Sequence, residues 1–123
     1  MKQAIETYLT YWSDELHPDI PAEGRETMIQ LYREDLLDFS RFTGDIDAAE
    51  VRPEHVARYA AALDEAGLQK LHKEIKFSKL RDFCGWLVRA KVLRKNPVPS
   101  RLCGSLWQRS WVREAIRLLT GTL

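Results

Sequence analysis

The fold of this 123-residue chain is decided by the stretch Phe77-Ser78-Lys79-Leu80-Arg81-Asp82-Phe83-Cys84-Gly85-Trp86-Leu87-Val88. Its apolar residues recur at steps of three and four, which is the spacing of an α-helix. Together with Leu71 and Ile75 upstream, they cover most of the circumference of that helix. A helix that is apolar on nearly all sides is packed by several neighbours, so the pattern predicts a central helix over residues 69–90.

Further helices are predicted on either side of this central one, and strand signals are weak because apolar and polar residues do not alternate over any sustained stretch. Helical spacing predicts a first helix over residues 3–16, a second over 25–43, a third over 53–66 and a short last one over 106–119. Gly44 and Gly67 follow the second and third helices, where glycine commonly ends a helix. We therefore expect an all-α protein, with a four-helix domain over residues 1–99 and a linker and C-terminal helix over residues 100–123.

Composition argues against several classes of protein. No apolar run approaches the roughly 18 residues that a membrane span needs, and the N-terminus carries acids without the apolar core of a secretion signal. We expect a cytoplasmic protein with no membrane partner. Cys84 and Cys103 form no metal or disulfide pattern, so reduced thiols are expected. The histidines are scattered and no glycine-rich phosphate loop occurs, so the sequence predicts neither a metal site nor a cofactor.

The net charge of +1 conceals a strong segregation of charge along the chain. Residues 1–68 carry six basic and fifteen acidic side chains, whereas residues 69–101 carry ten basic and two acidic ones. A basic segment of this kind favours a polyanionic partner. The same pattern would arise if the basic helix paired with the acidic helices inside the fold. Charge alone does not separate these two interpretations.

Four blocks of the sequence share their order and spacing with one known family. Residues 32–39 (YREDLLDF) resemble its pattern Y-x-x-D-L-x-x-F, and residues 51–59 (VRPEHVARY) resemble its helix start V-T-x-x-D-V-x-x-Y. Residues 77–88 (FSKLRDFCGWLV) resemble L-S-A-L-R-x-F-F-x-W-L-V, and Asn96-Pro97 matches the N-P that closes the unit. Residues 1–99 are therefore similar to the core-binding, SAM-like domain in the N-terminal half of phage integrases, which are tyrosine recombinases.

The resemblance implies a four-helix bundle that forms half of a clamp around double-stranded DNA. In this family the second and fourth helices present side chains to the major groove and to phosphates. By position, the DNA-binding residues would be Lys70, His72, Lys73, Lys76 and Lys79 on the fourth helix and Thr27, Gln30 and Arg33 on the second. Lysine lacks the bidentate fork of arginine, which favours phosphate contact over the reading of bases. The second helix also carries carboxylates that would repel DNA unless they face away from it, namely Glu26, Glu34, Asp35 and Asp38.

No catalytic residues are expected in this chain. Recombination needs a second domain that supplies arginines, a lysine, histidines and a nucleophilic tyrosine, and only 25 residues follow Val98. His55 and Arg58 have the spacing of the family's catalytic H-x-x-R, but they fall in the wrong domain, so a solvated helix turn is the simpler interpretation. We expect a non-catalytic DNA-binding domain of bacterial, phage or mobile-element origin, either a fragment of a longer recombinase or a natural short protein.

A protein-interaction or regulatory module derived from an integrase is the alternative function. It would use the acidic residues 1–68 and the pair Trp107 and Trp111, which lie four residues apart on the predicted last helix. Such a pair can stack on bases or dock on a partner such as a recombinase protomer, and it can equally pack back on the bundle. Weak, salt-insensitive behaviour with DNA would support this alternative.

Overall fold

The computed structural model describes residues 1–16 and 18–107, and these residues form helices and connecting turns without a strand. Helix α1 spans Lys2–Tyr11 and widens into a π-helical turn over Trp12–Leu16. Helix α2 spans Ala22–Phe42, α3 spans Pro53–Glu65 and α4 spans Lys70–Arg89. Two 3-10 segments, Ala48–Glu50 and Ser100–Trp107, complete the described elements. The predicted all-α fold class is confirmed.

The ends of the helices follow local signals in the sequence. Helix α3 starts at Pro53, whose missing N–H costs no helical hydrogen bond. It ends before Gly67, which has a φ of 76° and lets the Leu68 N–H donate to the Leu63 carbonyl at 3.2 Å. Helix α2 starts at Ala22, three residues earlier than predicted, because the extended backbone of Pro21 already leads into the helix.

An aromatic core joins helices that are distant in the sequence. The largest fully buried side chains include Trp12, Tyr8, Tyr32, Phe39, Phe77 and Phe83. Tyr8 of α1 packs against Phe83 of α4 with ring centroids 5.5 Å apart. Tyr59 brings α3 into the same core, since its ring lies 5.2 Å from Phe39 and 5.8 Å from Phe77. Most apolar positions of the recognised blocks thus act in packing.

Only the second half of α4 is central, so the predicted apolar circumference is wrong for its first half. From Phe77 onward the helix buries its apolar side chains in the core, whereas Leu71 is 55% exposed and Ile75 is half-buried. The first turns of α4 are covered on one side by acidic side chains of α2 and α3 instead of by apolar ones. Trp86 is also only partly buried, against Tyr8 and Tyr11.

The segment after α4 is tied back to that helix by hydrogen bonds. The Asn96 side chain donates to the Arg81 carbonyl at 3.0 Å and accepts the Val98 N–H at 3.1 Å. The Arg81 guanidinium in turn donates to the Val98 carbonyl, and the Val98 side chain is fully buried. These bonds join the closing Asn96-Pro97 to Arg81, which belongs to the Leu-Arg pair of α4. They are a physical reason for the spacing between these two parts of the family pattern.

Core packing continues past residue 99, where the sequence predicts a domain boundary. The segment Ser100–Trp107 packs on α4, and Cys103 within it is fully buried. The segment kinks at Gly104, where φ is 57° and a Cβ would overlap the Glu74 carboxylate. Residues 108–119 of the predicted last helix, Trp111 included, lie outside the described residues, as does the side chain of Trp107.

Replacing Phe83 by Ala is expected to lower the free energy of unfolding by about 3–5 kcal/mol, because it removes a buried ring from the centre of the core. Leu71→Ala on the same helix is the control, and it should change the free energy by less than about 0.5 kcal/mol because its side chain is exposed. Urea unfolding followed by circular dichroism measures both. A loss at Leu71 as large as that at Phe83 would contradict the exposure of the first turns of α4.

Candidate nucleic-acid interface

The four predicted lysines of α4 become progressively less accessible toward the middle of the helix. Lys70 is exposed and makes no ion pair within the described part of the chain, and His72 is exposed as well. Lys73 and Lys76 are partly covered, while the Lys79 side chain is only 5% exposed. Steps of three drift around a helix of 3.6 residues per turn, so the four lysines wind from the surface into the interior.

The inner two lysines are held by carboxylates of α2. Lys79 Nζ lies 2.7 Å from Asp35 Oδ2, and Lys76 Nζ lies 3.0 Å from Asp35 Oδ1 and 3.3 Å from Asp38 Oδ2. The Tyr59 hydroxyl of α3 donates to Asp38 Oδ2 at 2.5 Å. We call these five residues the Asp35 network. Two of the carboxylates that were expected to repel DNA therefore face the lysines.

The pKa values of Asp38 and Lys76 favour the charged forms of their ion pair. Burial alone would raise the pKa of Asp38, but the hydrogen bond from Tyr59 and the charge of Lys76 lower it below its ordinary value. Burial likewise acts to lower the pKa of Lys76, and the bond to Asp35 with the charges of both carboxylates raises it instead. Burial and the bond to Asp38 raise the pKa of the Tyr59 phenol. The charges of Lys76 and Lys79 are thus neutralised inside the fold.

Lys73 differs from the inner lysines because its partner is at the surface. It pairs with Asp64 near the end of α3, whose side chain is 61% exposed. Exposed ion pairs contribute little, typically about 0–1 kcal/mol. Lys73 is therefore the paired lysine that can exchange its carboxylate for another anion at low cost.

The predicted residues of α2 lie apart from the lysines. Arg33 forms a two-pronged pair with Glu6 of α1, with Nε–Oε2 and Nη2–Oε1 distances of 2.9 and 3.0 Å. The hydrogen bond from Arg33 lowers the pKa of the Glu6 carboxyl. Gln30 bonds to Arg33 and Glu34, and the Thr27 hydroxyl donates to a backbone carbonyl of its own helix. The α2 residues that face the lysines are Asp35 and Asp38 instead.

His55 and Cys84, two further titratable residues considered in the sequence, have structural roles in the fold. His55 Nδ1 accepts the Arg52 N–H at 2.9 Å, so this histidine caps the start of α3. Burial raises the pKa of the Cys84 thiol to about 12, which keeps it protonated and unreactive. Within the described residues no group of His, Cys, Asp and Glu side chains is arranged to hold a metal ion.

Sequence reasoning gave no role to the cations that follow α4. Arg94 and Lys95 are exposed and, with Arg52, line a groove of about 390 Å³ at the start of α3. They belong to the basic segment of residues 69–101, but the family pattern places its DNA-contacting residues at the start of the fourth helix. The sequence signal for these two residues is the basic segment itself, which continues past the end of the predicted central helix.

The fold and the surface together define a small helical domain with exposed cations beside both ends of its central helix, Lys70 at the start and Arg94 and Lys95 after the end. Residues 22–91 match the family described as phage integrase, N-terminal SAM-like domain. The match covers more than half of the chain, so the chain belongs to that family, and the predicted resemblance is confirmed. The family is that of the DNA-binding domains of recombination enzymes, and the match includes no part of their catalytic domain.

No match to this chain was found among curated proteins or among solved structures. Among the described helices, none combines the length and the apolar character needed to cross a membrane.

Removing the charge of Asp35 is expected to destabilise the fold strongly. Asp35→Asn leaves the buried Lys79 ammonium without its anionic partner, which costs about 3–5 kcal/mol for a broken buried pair. Lys79→Met should cost less, because it removes the buried charge itself while Asp35 keeps Lys76. Glu6→Gln breaks the more exposed pair with Arg33 and should cost under about 1 kcal/mol.

Chemical denaturation of the three variants beside the unmodified chain measures these differences. An Asp35→Asn variant as stable as Glu6→Gln would contradict the central position of the Asp35 network.

Proposed function

We propose that this domain binds double-stranded DNA through phosphate contacts from the start of α4 and does not itself cleave DNA. The observation that carries the proposal is the accessible set formed by the exposed Lys70 and His72 and the partly covered Lys73, in a domain of a DNA-binding family. We call this set the α4 start surface. The positive end of the helix dipole lies at the same place and favours the approach of an anion.

Within this proposal the lysines have two different tasks. Lys70 and Lys73 reach the phosphates, since the first has no ion pair in the described part of the chain and the second has only an exposed partner. Lys76 and Lys79 hold α4 against α2 through Asp35. Contact of Lys79 with DNA would require a buried ion pair to open, which is costly. The proposed interface is therefore smaller than the full row of lysines.

The proposed binding is weak and sensitive to salt. Each phosphate neutralised by a lysine contributes about 0.9 to the slope of log affinity against log salt for duplex DNA. Two lysines therefore give a slope near 2, far below that of a protein with many phosphate contacts. Lysine contacts to phosphate carry no sequence information, so this surface binds without regard to sequence.

The ion pairs within the fold weaken the alternative function, a protein-interaction module. It relied on the acidic first half of the chain, and several of those acids are already paired within the fold: Glu6, Asp35, Asp38, Asp45 and Asp64. It also relied on Trp107 and Trp111, whose side chains lie outside the described residues. No described contact favours it over DNA binding.

The double variant Lys70→Gln/Lys73→Gln is expected to lower the affinity for a duplex of about 30 base pairs and to reduce the salt slope by about 2. Fluorescence anisotropy across a salt series measures both quantities. The control is Lys2→Gln/Arg58→Gln, which removes the same charge from exposed positions on α1 and α3. An equal loss in both variants would show an effect of net charge only, and absence of binding by the unmodified chain at low salt would overturn DNA binding itself.

Asp64→Asn is expected to strengthen DNA binding several-fold at low salt, because Lys73 then no longer has to exchange a carboxylate for a phosphate. Asp14→Asn removes one exposed negative charge from the end of the first helical segment and serves as the control. The same anisotropy titration compares the two. An increase no larger than that of the control would indicate that Lys73 does not contact DNA.

A further inference from the structure

We propose that the groove between the start of α3 and the segment after α4 is a second phosphate site, which binds a sugar–phosphate unit of the same duplex. This inference rests on the proposed DNA binding but concerns different residues. Arg52 lies on one wall of the groove, and Arg94 and Lys95 lie on the other. We call it the Arg94 groove.

The cations of the Arg94 groove are free to bind an anion. In the described part of the chain none of the three forms an ion pair, in contrast to Lys73, Lys76 and Lys79 of α4. The acids nearest in the sequence, Glu50 and Glu54, are exposed and do not line the groove. Three unpaired cationic residues therefore line about 390 Å³ of open space.

The fold holds Arg94 and Lys95 in place between two fixed points. On the near side, Lys91 adopts a φ of 63° and ends α4, and Leu93 is buried in the core. On the far side, Asn96 is bonded to the Arg81 carbonyl and to the Val98 N–H. A loop fixed at both ends loses little conformational freedom when it binds a ligand, which favours affinity.

The opposite wall of the groove, at the start of α3, is also held in place by a hydrogen bond. Arg52 is the residue before α3, and its N–H is bound by His55 Nδ1. The positive end of the α3 dipole lies at this wall and favours a phosphate. Two guanidinium groups in one groove suit a phosphate further, because each presents a planar fork of donors to its oxygens.

The remaining lining of the groove points to more than a bare anion. It is formed largely by apolar side chains: Ala49, Val51, Pro53, Val92, Leu93 and Pro97. Val92 is 40% exposed, so it offers an uncovered apolar contact beside the cations. A deoxyribose ring next to a phosphate has the matching combination of apolar and anionic surfaces.

The spacing of the two cationic surfaces fits a single duplex. Helix α4 has 20 residues, so at a rise of about 1.5 Å per residue its ends lie about 30 Å apart. The α4 start surface flanks one end and the Arg94 groove flanks the other. A distance of about 30 Å corresponds to roughly nine base pairs of B-form DNA at 3.4 Å each, so one duplex of about 30 base pairs is long enough to span both surfaces.

The test compares three charge-removing variants of the full chain with the unmodified protein. They are Arg94→Gln/Lys95→Gln, Lys70→Gln/Lys73→Gln and the combination of all four, with Lys2→Gln/Arg58→Gln as the control. Arg52 is left intact so that each double variant removes two positive charges. Affinity and salt slope are measured by anisotropy with a duplex of about 30 base pairs, and the melting temperature of each variant reports its folding.

We expect the Arg94→Gln/Lys95→Gln variant to melt like the unmodified chain, to bind about tenfold more weakly at low salt and to lose about 2 from the salt slope. The losses of the two double variants should add in the combined variant, since both surfaces hold one duplex. A loss no greater than the control's would overturn the Arg94 groove and leave the proposed function in place. A loss at the groove with none at Lys70 and Lys73 would overturn the α4 start surface instead.

Inorganic phosphate distinguishes the two sources of this ligand chemistry. Amide signals of Arg94 and Lys95 in heteronuclear NMR spectra are followed with phosphate alone and with the duplex. We expect saturable shifts with the duplex and none with millimolar phosphate. Saturation by inorganic phosphate, with no response to the duplex, would reassign the groove to a small phosphate ligand and overturn its part in DNA binding.

Discussion

The carboxylate of Asp35 is the constraint on which the arrangement of the helices depends. It accepts from Lys79 at 2.7 Å and from Lys76 at 3.0 Å, so one side chain of α2 fixes two successive turns of α4. A buried ammonium is costly without a partner, and Lys79 is almost fully buried. Helices α2 and α4 therefore cannot shift in register without leaving the buried Lys79 ammonium unpaired in the apolar core. Asp38 and Tyr59 extend the same constraint to α3.

This network assigns part of the segregated charge to pairing inside the fold and leaves the rest for the partner that we propose. Lys76 and Lys79 pair with the acidic helix inside the fold, as the structural interpretation of the basic segment required. Lys70, Arg94 and Lys95 remain exposed and unpaired within the described residues, as a polyanionic partner requires. The charge count of a segment does not distinguish these sets, because the pairing depends on which carboxylates the tertiary fold brings to each lysine.

Local signals in the sequence accounted for the helices and for much of the core, and long-range contacts accounted for the rest. Pro53 and Gly67 mark the ends of α3 because their backbone preferences act within a turn. Leu71 shows the limit, since helical spacing places it in an apolar stripe and the fold leaves its side chain 55% exposed. Family position likewise predicted Arg33 and Lys79 as DNA-binding residues, whereas the fold pairs Arg33 with Glu6 of α1 and Lys79 with Asp35 of α2. His55 had a spacing shared with a catalytic motif, and its contact with Arg52 became evident only in the structure.

This arrangement holds helix α4 in a fixed position within the bundle. Its middle is held by Asp35, and the segment that follows it is held by Asn96 and Arg81. The middle of α4 and the segment after it are therefore fixed, and the separation of the two proposed phosphate surfaces depends on the helix length of 20 residues. Because phosphates along a duplex are also regularly spaced, two surfaces that act as proposed at a fixed distance would select for double-stranded over flexible single-stranded DNA without any contact to a base. Weak individual contacts suffice for this selection, since the second contact is made at the high effective concentration that the first one provides.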